Sequence, residues 1–337
     1  MRRAQLRFAD LIPTSAAALL ITLSVSGPVL SQDRAAGPWW PHPIWGATDE
    51  AGSSNWITPE LVLRAAQLVE TGKVYELGQV YEHGMPLFGQ RTYTMTIPGS
   101  PSGGPVGENQ LVWHDEFLCG EIGQIGTQLD GPGHIGTRMR MADGTETEVF
   151  YNGFPLSEVA GTYGLNKLGI ENIKPIFTRG ILIDIAGAKG VDVLDHAYEV
   201  TVADVREALQ RQGMEESDLA PGDAIFFRYG WSKYWTQPEV FNTDPPGIGL
   251  EVAAWLVDRQ PSMIGSDQWG TEVIPNPDST KAFPVHQELI TKAGIWNLEN
   301  LVYDELVEDD VTEFLFILTP IRFKGATGSP ARPIGIR

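Results

Sequence analysis

Apolar positions along this chain follow two patterns, and the two predict different elements. Residues 58–72 open with Thr58 and Pro59, collect Leu61, Val62, Ala65, Ala66, Leu68 and Val69 on one face, and stop at Gly72. That is a capped amphipathic helix. Residues 180–186 (GILIDIA), 224–231 (AIFFRYGW) and 313–319 (EFLFILT) are unbroken apolar runs of strand length, which predict strands covered on both faces. Residues 74–80 and 262–266 read as further strands. Helices are expected over 201–212, where Thr201 is followed three residues on by Asp204, over 249–259 and over 283–293. Strands and helices alternate loosely after residue 175, the first half is loopier, and no fixed-period repeat or linker divides the chain. The composite is a mixed α/β domain.

The loopier half has its own signals. Residues 32–57 hold Trp39, Trp40, Trp45 and Trp56 among prolines and glycines, an extended arm that needs a surface to bury against, its own domain or a partner subunit. This points to a homo-oligomer. The glycines and prolines of 82–108 suit a lid over a pocket, and 111–118 reads as a strand carrying Trp113, His114 and Asp115.

Composition narrows the class. With 337 residues and 42% hydrophobic content the chain can fill a real core. Its net charge of -19 excludes nucleic acid and anionic lipid as partners. Residues 1–31 carry Arg2, Arg3 and Arg7, an apolar run over 16–25, then Gly27, Pro28 and a cleavage point after Ser31. They read as a signal peptide, so a single domain over 32–337, periplasmic or secreted and free of the membrane after cleavage, is expected. The lone Cys119 forbids an intrachain disulfide and reads as a small buried hydrophobe.

The candidate chemistry is concentrated in 121–138, EIGQIGTQLDGPGHIGTR. Gln124, Gln128, Asp130 and His134 stand at even spacing, so an extended backbone would put them on one face. Gly126 and Thr127 leave space, and Gly131, Pro132 and Gly133 turn the chain so that His134 swings back toward the same point. Converging amide oxygens, a carboxylate and an imidazole hold a cation or relay protons. The same residues would also make a glycine-rich turn whose side chains cap their own backbone, and spacing alone leaves both readings open.

The segment QIGTQLDGPGH resembles the HxGTHxDxPxH signature of the cyclase family of kynurenine formamidases and isatin hydrolases, matching at Gly126, Thr127, Asp130, Pro132 and His134. Gln124 and Gln128 replace its two metal-binding histidines. The pattern QxxxQxDxxxH is similar to that of the branch that includes trans-dienelactone hydrolase. The resemblance, from about residue 45 to 333, implies a swivelling β/β/α architecture built on a mixed sheet. It also implies that His286 and Glu299, in HQELITKAGIWNLENL, complete a second metal position that shares Asp130.

The expected enzyme is then a hydrolase of a small lactone, or of a cyclic or aryl amide. One or two divalent ions would be held by Gln124, Gln128, Asp130, His286 and Glu299. A metal-bound water would be the nucleophile and His134 the proton shuttle. Amide oxygens are harder donors than imidazole and lean toward manganese, whereas the resemblance implies zinc. Asp267, Trp269, His114 and Tyr93 are candidate substrate contacts. The alternatives are an arylformamidase acting on N-formylkynurenine, which loss of both histidines disfavours, and a non-catalytic periplasmic ligand-binding protein.

Overall fold

The computed structural model describes residues 36–337, so the expected signal peptide lies outside the described residues. Nine strands form one sheet: β1 (Val74–Glu76), β2 (Gln128–Asp130), β3 (Ile176–Asp184), β4 (Ala224–Arg228), β5 (Met263–Ser266), β6 (Trp296–Glu299), β7 (Glu313–Leu318), β8 (Gly328–Pro330) and β9 (Ile334–Ile336). Their spatial order is β1-β9-β7-β3-β4-β5-β6-β2-β8. The central run β3-β4-β5-β6 is parallel, and the flanking pairs are antiparallel. This is the mixed-sheet α/β architecture expected.

The unbroken apolar runs are explained by what covers them. The capped helix of the 58–72 segment is α1 (Pro59–Ala66). On β3 and β4, Ile181, Ile183, Ile225 and Phe227 face a core shared with two further helices, α2 (Val202–Arg211) and α3 (Leu250–Arg259). Their neighbours Leu182, Ala224 and Phe226 face a second core with Phe314, Phe316, Leu129 and Leu298. Side chains alternate across a strand, so a strand with a core on each side has no polar position to show. The helix α2 begins with the full reciprocal cap, Thr201 accepting from Asp204 N while the Asp204 carboxylate accepts from Thr201 N.

Three expectations need correction. The 111–118 segment is two short strands, Leu111–Trp113 and Phe117–Gly120, paired with Gly103–Val106 and Tyr93–Thr96 in two-stranded ribbons. Cys119 lies in one of these ribbons and is exposed, because no second layer covers it. The 283–293 helix is α-helical only over Pro284–His286 and widens to a π-helix over Gln287–Lys292, a form common beside functional sites. Among the described residues no helix is long and apolar enough to cross a membrane.

Candidate active site

The strands β2 and β6 are antiparallel, with Gln128 opposite Glu299 and Asp130 opposite Asn297. Leu129 and Leu298 point into the core beneath the sheet, so alternation sends Gln128, Asp130, Asn297 and Glu299 to the other face. The amide of Gln128 donates through Nε2 to Glu299 Oε2 at 2.9 Å, and Asn297 Nδ2 donates to Glu299 Oε1 at 2.8 Å. A cross-strand pair thus fixes one ligand-type carboxylate before anything else reaches it.

Gln124 arrives by a different route from the even spacing. The strand covers only Gln128–Asp130, and Gln124 sits in a turn closed by its own N–H on Glu121 O at 2.7 Å. Gly126 has φ +60, and a Cβ there would strike the Tyr81 ring at 2.5 Å; only glycine suits both demands. Thr127 is a clamp rather than a gap, accepting from Gln79 N and donating to Asn300 O, each at 2.7 Å. The Gly131–Pro132–Gly133 turn behaves as expected, with His134 N donating to Gly131 O at 2.9 Å.

His286 joins from the α/π helix. Its Nδ1 donates to Glu272 Oε1 at 2.5 Å, which leaves Nε2 3.3 Å from Glu299 Oε1 and 3.8 Å from Asp130 Oδ2. Glu272 is itself anchored by the N–H groups of Val285 and His286. A carboxylate behind an imidazole fixes which nitrogen faces the ligand. Two strained positions frame it, Thr271 at φ 56 and Phe283 at φ 48, conformations costing about 1–3 kcal/mol each unless their surroundings hold them. Thr271 is held by Oγ1 donating to Asn297 Oδ1 at 2.8 Å and by its carbonyl accepting from Tyr229 OH at 2.9 Å.

Donor atoms of Asp130, His286 and Glu299 all lie within 4.8 Å of one another, and all three residues are buried. Neither oxygen of Asp130, nor Gln128 Oε1, nor either amide atom of Gln124 has a hydrogen-bond partner among the described residues. Buried polar atoms left so are costly, and a convergent set of oxygens with one imidazole nitrogen is the donor chemistry of a divalent cation. The residues present therefore fit a metal ion, and the two halves of the expected site meet in one place.

Electrostatics agrees. Burial, reinforced by the charge of Asp130, raises the Glu299 carboxyl above its ordinary range. For His286 burial acts downward but is outweighed by Glu272 and Glu299, so the ring holds a proton strongly. An arriving cation would displace that proton. His134 differs: burial lowers it, and Asp130, whose Oδ1 lies 3.9 Å from Nε2, only partly offsets this.

These groups line a cavity of about 150 Å³ whose other walls are Phe88, Arg91, Ile135, Trp269, Gly270 and Phe283. The Phe88 and Trp269 rings stack at 3.9 Å, with Phe283 edge-on to both. Of the expected substrate contacts, Trp269 is in this wall. Asp267 is not: it is buried nearby, accepting from Tyr229 N at 2.8 Å, and its carboxyl is pushed up to about 6 by burial. His114 is exposed on a ribbon, 3.2 Å from Ser100 Oγ, and Tyr93 packs against Tyr81; neither lines the cavity. A larger cavity, about 330 Å³, lies against Trp39, Trp45, Trp56 and Lys292, but its lining has no cluster of carboxylates and imidazoles. Glu272, Asn297, Phe88 and Arg91 were not singled out from the sequence.

The family model for putative cyclases matches residues 75–273. A solved structure described as a novel cyclase has a TM-score of 0.75 with 29% identity, covering 87% of this chain and 98% of its own. Isatin hydrolase A from Ralstonia solanacearum is similar in fold at a TM-score of 0.58 and 19% identity, covering 83% of this chain and 98% of its own. The enzyme of the same name from Labrenzia aggregata, bound to benzyl benzoate, gives 0.56 and 20%, covering 80% and 94%. No protein of curated function matches the sequence.

Proposed function

The chain belongs to the putative cyclase family, and from that premise we propose that it is a metal-dependent hydrolase of a small cyclic ester or amide. The observation that carries this reading is the buried trio Asp130, His286 and Glu299 beside unpartnered oxygens of Gln124 and Gln128, all on one small cavity. When bound there, a divalent cation supplies Lewis acidity to an acyl carbonyl and a nucleophilic water near neutral pH. Two amide oxygens and two carboxylates suit manganese, and the imidazole suits zinc.

The chain's own groups do the rest. His134, held below the ordinary histidine value by burial, is neutral at neutral pH and free to accept a proton at Nε2. The neighbouring Asp130 charge stabilises the imidazolium once formed, and the same nitrogen returns the proton to the departing oxygen or nitrogen. Glu272 holds His286 in the tautomer that presents Nε2 to the cavity. Phe88, Trp269 and Phe283 offer flat apolar surfaces that favour a planar ring and exclude water. The two glutamines, similar to the lactone-hydrolase pattern, put a ring ester first. Isatin, named for two structures of this fold, puts the ring amide next.

The test is hydrolysis of a panel of lactones, lactams and cyclic imides by metal-loaded protein, with and without a chelator. Turnover that disappears with the metal and returns on its restoration is expected. Ring binding without turnover would favour a ligand-binding protein, and chelator-insensitive turnover would refute the mechanism.

A further inference from the structure

The two glutamines of the site are held differently. Neither amide atom of Gln124 has a hydrogen-bond partner among the described residues, whereas Gln128 Nε2 donates to Glu299 Oε2 at 2.9 Å and only its Oε1 is left without one. The difference matters because an amide is ambiguous as a ligand. Its oxygen can bind a cation and its NH2 group cannot, yet a half-turn about one bond exchanges the two in nearly the same space. A histidine has no wrong end, since either nitrogen of the neutral ring can bind an ion. A glutamine ligand therefore needs a neighbour that decides which end faces the cavity.

That decision starts at a donor that cannot be reversed. The backbone N–H of Gln268 donates to Ser266 Oγ at 3.4 Å, and Ser266 Oγ donates to Thr271 Oγ1 at 3.2 Å. Thr271 Oγ1 then donates to Asn297 Oδ1 at 2.8 Å, and Asn297 Nδ2 to Glu299 Oε1 at 2.8 Å. Every bond points the same way. A backbone N–H only donates and a carboxylate only accepts, so the sense of the chain is set at both ends. Ser266, Thr271, Asn297, Glu299 and Gln128 are each at most 3% exposed, a setting in which an unpaired member is costly.

With Asn297 turned this way, NH2 groups occupy both oxygens of Glu299, Asn297 on Oε1 and Gln128 on Oε2, and Gln128 shows its own oxygen to the cavity it lines. The Thr271 hydroxyl is placed independently of the ion, because the Tyr229 hydroxyl holds the Thr271 carbonyl at 2.9 Å. Without that hydroxyl nothing sets the Asn297 amide. Turned over, Asn297 puts an oxygen against Glu299 Oε1, the carboxylate swings away, and Gln128 is released to rotate.

We infer that Thr271 and Asn297 are positioning residues, which through Glu299 keep the oxygen of Gln128, and not its NH2 group, toward the ion. Their role rests on the metal-site reading above and deepens it by accounting for how a glutamine serves as a ligand there.

Zinc and manganese affinities, each titrated against a competing chelator, test this in two backgrounds, wild type and Gln128→His. In wild type, Thr271→Val should weaken binding about 10- to 100-fold, the usual effect of losing a group behind a ligand, and Thr271→Ser, which keeps the hydroxyl, should restore it to within about threefold. Valine has the shape of threonine and branches at the same carbon, so it adds no strain at φ 56. In Gln128→His, the same Thr271→Val should cost less by about threefold or more, because only the hold on Glu299 is then lost. Equal losses in the two backgrounds overturn the inference, and so does wild-type affinity in Thr271→Val or a loss that Thr271→Ser shares. Should Thr271→Val not fold, Asn297→Ala takes its place with the same pair of expected results. Wild-type protein that binds neither ion refutes the metal-site reading itself, and the role of Thr271 and Asn297 with it.

Discussion

Asp223 and Asp130 are both buried aspartates beside strands of the same sheet, 4% and 1% exposed, yet they are finished differently. Asp223 is closed by the chain itself: Arg179 donates to both its oxygens, Nε at 3.1 Å and Nη2 at 2.5 Å, and Ala220 N adds a third bond at 2.7 Å. Asp130 receives no hydrogen bond among the described residues and stands between two imidazoles, at 3.9 Å and 3.8 Å. One carboxylate has its cation supplied by covalent structure. The other keeps both oxygens without a hydrogen bond among the described residues, where an added cation would satisfy them. The contrast separates a group that serves the fold from one that serves chemistry.

Substitution should separate them in the same way. Asp130→Asn should lower turnover by about a thousandfold or more and reduce bound metal per chain, while thermal unfolding of the metal-free protein changes little. His134→Ala should leave metal content alone and lower kcat by about 10²- to 10⁴-fold. The wild-type pH profile sharpens that result. A histidine lowered by burial stays neutral until the pH falls through its depressed value, so kcat/KM should hold level across neutral pH and fall on the acid side, and His134→Ala should lose that limb.

Asp223→Asn should do the reverse of Asp130→Asn, costing about 2 kcal/mol in denaturant unfolding by weakening the charge-assisted bonds from Arg179, which keeps Glu313 at 3.1 Å as its second acid, with metal content and turnover per folded chain unchanged. A catalytic defect there would break the comparison. Glu272→Gln should weaken metal binding about 10- to 100-fold, measured by titration, because His286 loses the group that orients it. The smallest effect belongs to the scaffold. Asp204→Asn removes a capping partner of α2 and should cost about 1 kcal/mol, without a change in turnover. Although burial opposes it, bonds from Lys189 and Thr201 keep the Asp204 carboxyl below its ordinary value. Its stabilisation is thus present above the unfolded-state pKa and fades as the pH falls through the folded one, so the variant and wild type should converge in strong acid.

What could be read from the chain and what could not divide along physical lines. The runs at 180–186, 224–231 and 313–319 were legible because both faces of those strands are covered, and α2 because its cap is local. The ribbons over 93–120 carry Ile97, Trp113 and Phe117 exposed, so hydrophobic alternation had no core to report. Gln124, Gln128, Asp130 and His134 were legible as a group. Gln124's route was not, since it depends on a left-handed Gly126 under Tyr81 rather than on strand alternation.

Glu272 stands in TEVIP with no motif around it, and acts only through His286, fourteen residues on. Arg91 and Phe88 are joined by a turn inside a segment whose glycines and prolines suggested a lid over a pocket but not which of its residues face the cavity. Support groups of this kind take their meaning from what they touch, and contact is what spacing does not encode. Gln128, Asp130 and His134 keep a signature because strand alternation and the short turn after Asp130 fix their relative positions.

The most direct measurement is elemental analysis of purified wild-type protein beside Asp130→Asn, each dialysed after incubation with zinc and manganese. Wild type should hold at least one divalent ion per chain tightly, and the variant should show a clear deficit. Wild-type protein that retains no metal, or a variant that retains as much, would contradict it.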